Sequence, residues 1–143
     1  MNAIDLIKKY EGFRPQSYQD SVGVWTIGYG TTRINGQPVK AGMTITEDRA
    51  LELVRAEVNK LWTNIESILT VRLNENQMNA LVDFAYNLGF NALKTSTLMR
   101  YVNQSKFEQA ALEFGKWVYA GGKVLPGLVK RREAAKQLFL ESV

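Results

Sequence analysis

From Thr46 to Ile68 the chain carries one long amphipathic run, and every other segment has to be arranged around it. Leu51, Val54, Val58, Leu61, Ile65 and Ile68 recur at alternating three- and four-residue steps, which places them on one face of an α-helix. The Thr46 hydroxyl can cap its start by accepting a backbone N–H. So long a helix reads as a connector between an N-terminal and a C-terminal portion of the chain. Before it, Asn2 can cap a short helix over 3–11 with Ile4, Ile7 and Tyr10 on one stripe, and Gly12 stops it. Residues 13–39 then change character. "SYQD", "VGVWTIGYG" and "TRINGQPV" are β-branched or aromatic and broken by turn signals near Ser21–Gly23 and Asn35–Gly36, so a small, bent antiparallel sheet is expected. Gly28 and Gly30 alternate in its second strand, which suggests bare backbone where something approaches closely.

After the long helix, Asn74 with Gln77 forms the pattern of a capping box, and Gly89 ends the helix it starts. Asn91 to Thr95 suggests a short turn, and "STLMRYV", "KFEQAALEFGKWV" and "PGLVKRREAAKQLFL" supply three more helices. The expected class is α+β, mainly α, in a single domain over 1–143. Its N-terminal lobe spans about 13–45 and its connecting helix about 46–70. The helical C-terminal lobe spans about 71–143 and takes in the first helix, 3–11. A groove between the lobes is the natural place for a ligand.

The chain has no cysteine and no histidine. Disulfides, thiolate nucleophiles and Cys-type zinc sites are thereby excluded, as is any Ser-His-Asp triad. No metal site and no cofactor are called for, and an enzyme built this way would move protons with carboxylates. A net charge of +4 favours acidic partners such as nucleic acid, anionic membrane or wall polymers. No RNA or DNA motif is present, however, and no aromatic residues interleave a basic stripe. Nothing approaches the roughly 20 apolar residues of a membrane span, and no signal-peptide core opens the chain. Synthesis in the cytoplasm without stable membrane insertion is expected.

Glu11 is the oddest placement. It sits on the last turn of the first helix, where the helix dipole presents partial negative charge and favours a neutral, protonated carboxyl. A protonated acid is what cleavage of an acetal oxygen requires. A hairpin beginning at Gln16 can fold Asp20 and Thr26 back over that helix end. Singly, each residue has a plain alternative: a solvated helix-end charge, a turn residue and a strand residue.

Together, the order E-x8-D-x5-T within "YEGFRPQSYQDSVGVWTIGYGTT" resembles the active-site signature of phage-type lysozymes, glycoside hydrolase family 24. The resemblance continues through "LNENQMNALVDFAYNLG", "STLMRYVN" and "GGKVLPGLVKRREAAKQLF", covering nearly the whole chain. It implies a lysozyme-like two-lobe fold and an endolysin that hydrolyses the β-1,4 bond between N-acetylmuramic acid and N-acetylglucosamine. In that reading Glu11 is the proton donor, Asp20 the ionised base and Thr26 the hydroxyl that holds water, with inversion at the anomeric carbon. Tyr86, Asn87 and Thr97 match substrate-binding positions. Thr31 and Thr32 fall where family members vary. Arg131 and Arg132 read as a solvated basic helix face, with a cation beside Glu11 as the alternative; Trp25, Trp62 and Trp117 read as core more than as sugar platforms. The partner implied is bacterial peptidoglycan, attacked by a monomer. It would stay in the host cytoplasm until a separate holin-type protein permeabilises the membrane, and then reach the wall in the periplasm. A lytic transglycosylase and a catalytically silent wall-binding module are the alternatives; Asp20 and Thr26 argue against both.

Overall fold

The computed structural model describes residues 1–141. Helix α1 (Ala3–Glu11) is followed by two short ladders, β1 (Arg14–Gln19) with β2 (Trp25–Gly28) and β3 (Arg33–Ile34) with β4 (Gln37–Pro38). Helix α2 (Glu47–Ile68) leads to α3 (Glu75–Leu88), α4 (Phe90–Lys94), α5 (Thr97–Asn103) and α6 (Phe107–Glu113). One tighter helical turn at Phe114–Lys116 precedes a ladder of β5 (Tyr119–Ala120) with β6 (Lys123–Val124), and α7 (Pro126–Leu140) closes the order.

Helix ends fall where local chemistry puts them. The Asn2 side chain accepts from the Asp5 N–H while Asp5 accepts from the Asn2 N–H, and Asn74 and Gln77 exchange bonds in the same way. Thr46 accepts from the Arg49 N–H at the start of α2. Gly12 ends α1 at φ 70°, a conformation costly for any residue with a Cβ. The α2 stripe packs inward through Val54, Val58, Leu61 and Ile65, with Leu51 and Ile68 half-buried at its ends. On α1 the inward face is Ala3, Leu6 and Ile7, rotated slightly from the expected stripe; Ile4 and Tyr10 flank it.

Helix α3 is the centre of the helical body. Every residue from Met78 to Ala85 is buried, and α1, α2, α4 and α7 all pack on it. A helix apolar on nearly all sides needs neighbours on all sides. Phe84, fully buried, meets Phe114 and Trp117 edge-on at centroid distances of 5.9 and 5.2 Å. Truncating it to alanine would cost about 3–5 kcal/mol. Trp62 and Trp117 both pack against the core, as expected, and Trp25 is half-buried.

Three expectations need correction. The β segment is two separate two-stranded ladders, joined to their surroundings by single bridges such as Gln16–Thr44, and not one bent sheet. The helix expected over "KFEQAALEFGKWV" ends at Glu113, with one tighter turn to Lys116; beyond it Gly121 and Gly122, both at positive φ, turn β5 back onto β6. Arg131 and Arg132 are not solvated. They are 3% and 1% exposed, on the inward face of α7 beside Ala135, Leu138 and Phe139.

Candidate active site

Glu11 lies at the meeting point of the first helix, the first hairpin and the last helix. Its Oε2 accepts from Arg131 Nη1 at 2.7 Å. Arg131 is itself clamped by Asp83, which is fully buried and accepts from Nη2 at 2.8 Å and from Nε at 3.2 Å. Burial works against the Arg131 charge, but the Asp83 and Glu11 carboxylates more than offset it and hold its pKa above the ordinary guanidinium value. The cation beside Glu11 is therefore Arg131, the reading set second from sequence. It opposes the negative helix end that first singled Glu11 out.

The other oxygen, Oε1, has no protein donor among the described residues and rests against Gly30. A Cβ on Gly30 would lie 2.6 Å from it, and Gly30 sits at φ 81°. Gly28 is different: an added Cβ there would meet Ala50 Cβ at 3.1 Å. The bare backbone expected at both glycines has two uses, one beneath a carboxyl and one beneath a helix.

Asp20 sits at the β1–β2 turn, exposed, its Oδ1 accepting from the Val22 and Val24 N–H groups at 3.0 and 2.8 Å. These bonds fix the carboxylate in place at the turn. Thr26, 5% exposed, stands directly across the ladder from Tyr18. Its hydroxyl donates to the Val24 carbonyl at 3.0 Å, so the oxygen's remaining capacity is to accept.

Tyr18 ties the set together. Residues directly opposite in an antiparallel ladder share a face, so Tyr18 and Thr26 look the same way. Burial raises the Tyr18 phenol pKa, and the negative charges of Glu11 and Asp20 raise it further, against the pull of Arg14. The Arg14 guanidinium covers the ring at 4.0 Å.

Of the other expected residues, Tyr86 donates to the Tyr29 carbonyl at 2.5 Å. It lines a pocket of about 280 Å³ with Gly30, Thr31, Thr32, Arg33, Leu53, Glu57 and Lys60. Burial, and then Glu11, raises its phenol pKa. Asn87 is bound by Arg132. Thr97 is the outlier: its hydroxyl accepts from Arg100 at 3.2 Å, in a separate depression lined by Lys94, Thr95, Ser96, Met99 and Asn103.

Sequence reasoning missed Asp83, Tyr18 and the burial of the arginines. Asp83 had a signal, a lone charge inside the apolar run "ALVDFAY". The arginines had one too, since Leu128, Arg131, Arg132, Ala135 and Leu138 keep helical spacing. Tyr18 had none without the ladder register.

Two carboxyl-bearing residues, one on a helix end and one on a hairpin turn, are the residue types a glycoside hydrolase uses, and Gly30 beneath Glu11 also lines the Tyr86 pocket. The chain is also similar to known proteins. Residues 8–135 match the Phage lysozyme family. An endolysin of Bacillus phage B103 is 44% identical over 139 residues, covering 96% of this chain; the chain spans 52% of that endolysin's own length. Among solved structures, an endolysin from Escherichia coli O157:H7 phage FAHEc1 superposes with a TM-score of 0.88 at 36% identity, covering 99% of this chain and 92% of that one. The muramidase domain of SpmX from Asticaccaulis excentricus does so with 0.87 at 33%, covering 98% and 95%. The chain belongs to the phage lysozyme family, and through it to the glycoside hydrolases.

Proposed function

We propose that this protein is an endolysin that hydrolyses the β-1,4 bond between N-acetylmuramic acid and N-acetylglucosamine in peptidoglycan, with inversion. Glu11 gives a proton to the departing glycosidic oxygen. Its Oε2 is occupied by Arg131 and its Oε1 is without a protein donor among the described residues, so Oε1 is the oxygen to carry that proton. Asp20, steadied by two backbone N–H groups, takes a proton from water. Thr26, its own hydrogen committed to Val24, accepts the water's other hydrogen. A water donating to both turns its lone pair toward the anomeric carbon.

The observation that carries this reading is the placement of Glu11: Arg131 holds its Oε2, and its Oε1 rests against Gly30, two residues beyond the hairpin strand that carries Thr26. Among the described residues no helix is long and apolar enough to cross a membrane. The family resemblance, not this absence, is the ground for a holin-type partner in the passage from host cytoplasm to wall. The two-lobe division, with substrate along the groove, belongs to the same proposal, as do substrate contacts from Tyr86, Asn87 and Thr97.

Digestion of purified peptidoglycan tests it. New reducing-end muramic acid, first released as the α-anomer, is the expected product. A 1,6-anhydro ring would make the protein a transglycosylase, and a β-anomer would exclude inversion.

A further inference from the structure

Arg132 is the least comfortable residue in the molecule. It is 1% exposed, and its Nε and Nη1 have no hydrogen-bond partner among the described residues. Arg131 next to it is satisfied by two carboxylates. Arg132 has one acceptor, the Oδ1 of Asn87, and one aromatic neighbour, the Phe84 ring at 5.5 Å. A buried guanidinium with two orphan donors is destabilising by general rule. An apolar side chain of the same length would pack there at no loss. Its single good contact is therefore where a use should be sought.

That contact has a chemical consequence. A guanidinium has donors and no acceptor, so it can meet an asparagine only through the amide oxygen. With Oδ1 turned inward, the Asn87 NH2 points the other way. That NH2 donates to no protein group among the described residues, and Asn87 is half-exposed, one residue beyond the pocket-lining Tyr86. An unconstrained surface asparagine can flip and offer either oxygen or nitrogen. This one cannot.

We propose that Arg132 is a positioning residue that locks the Asn87 amide with its NH2 outward, making Asn87 an obligate donor to a carbonyl oxygen on the glycan strand. The proposal rests on the peptidoglycan reading above and adds what the site selects. In that polymer such an oxygen comes from the acetamido group of a sugar or from the stem peptide. Arg132 touches no substrate. Its charge also strengthens the outward donors by polarising the amide.

The decisive variant is Asn87→Asp. It is isosteric, keeps an oxygen for Arg132 and replaces the outward donor with an acceptor. Its melting temperature should rise, because the buried cation gains a charged partner, yet KM on purified strands should rise about tenfold, the equivalent of one good hydrogen bond. The loss should fall on KM more than on kcat. Arg132→Met should raise KM severalfold through a freed amide, and Arg132→Lys, which keeps a donor, should restore it.

Strand chemistry separates the two sources of the oxygen. If the penalty of Asn87→Asp vanishes on de-N-acetylated strands, the acceptor is the acetamido carbonyl. If it vanishes on strands stripped of stem peptides, the acceptor is in the stem. A wild-type KM for Asn87→Asp overturns the proposal, as does a penalty that persists on both kinds of strand. So does a folded Arg132→Met with unchanged KM. If the wild-type protein cleaves none of these strands, it is the peptidoglycan reading that fails.

Discussion

The two carboxylates of the site are held by opposite means. Glu11 leans on the helical body: its charge meets Arg131, and Arg131 is fixed by a fully buried Asp83. Asp20 leans on nothing buried. It is exposed at a hairpin turn and held by the N–H groups of Val22 and Val24. One support is a low-dielectric ion network, in which each member depends on the next. The other is local turn geometry, which the surrounding core barely feels. Damage on the helical side should therefore appear in stability as well as turnover, and damage at the hairpin in turnover alone.

Removing each carboxylate measures that contrast most directly. Glu11→Gln and Asp20→Asn should each lower kcat about 1,000-fold, within the range for losing a positioned acid or base and equivalent to about 4 kcal/mol of barrier. Their melting curves should differ. A hydrogen bond to a charged group contributes about 1.5–3 kcal/mol, against about 0.3–1 for a helix-end effect. Neutralising the partner of Arg131 thus outweighs relief of the helix dipole, and Glu11→Gln should be less stable by about 1 kcal/mol. Asp20→Asn should melt like the wild type. A higher midpoint for Glu11→Gln would mean that the helix end dominates after all.

Asp83→Ala probes the buried side without touching the hairpin. It strands Arg131 in the core with Glu11 as its remaining partner, a loss of about 3 kcal/mol by the usual cost of breaking a buried pair. For a chain of this size the midpoint should fall by roughly 10 °C in calorimetry. A change within a degree or two would show that the Arg131 charge is stabilised by something other than Asp83.

Gly30→Ala and Gly28→Ala form a matched pair where the hairpin meets the body. Both positions have positive φ, so both variants carry similar backbone strain. At Gly30 the new methyl would stand 2.6 Å from Glu11 Oε1; at Gly28 it would meet Ala50 at 3.1 Å. Displacing an acid by even about 1 Å can cost 100-fold. Gly30→Ala should therefore lose turnover on that scale while Gly28→Ala loses stability and keeps most of its rate per folded molecule. Equal rates for the two would remove Gly30 from the support of Glu11.

How much could be read from the chain depends on the range of the physics. Caps at Asn2, Thr46 and Asn74, and the stops at Gly12 and Gly89, are local chemistry and were legible. The α2 stripe was legible because its period is sustained over the whole helix. Strands β5 and β6 are two residues each, too short to carry a period, and their Gly121–Gly122 turn was the signal passed over. Glu11 and Asp20 could be placed on a helix end and a turn. Arg131 could not be placed beside Glu11, because that pair spans 120 residues and its clamp to Asp83 spans 48. Charge was read as exposure, although the spacing on α7 already pointed both arginines inward.

The smallest expected effect lies where the hairpin region rests on α2. Tyr29, 3% exposed, donates to Glu47 at 2.6 Å. Burial first, and then the Glu47 carboxylate, pushes its phenol from 10.0 to about 12. Below pH 10 folded and unfolded chains both keep this proton, and the contact contributes fully. Between pH 10 and about 12 the unfolded chain releases it while the folded chain retains it, so the native state binds more protons and stability falls as pH rises. Tyr29→Phe removes the titrating group. Its stability should be lower near neutrality by about 1 kcal/mol, the worth of one hydrogen bond, and its decline through that alkaline window should be shallower. Denaturant midpoints at matched pH for the two proteins give the comparison. Parallel declines would show that Tyr29 is not what links the hairpin to α2 at high pH. A shallower one would make that link a support on the hairpin side that behaves like the buried network behind Glu11.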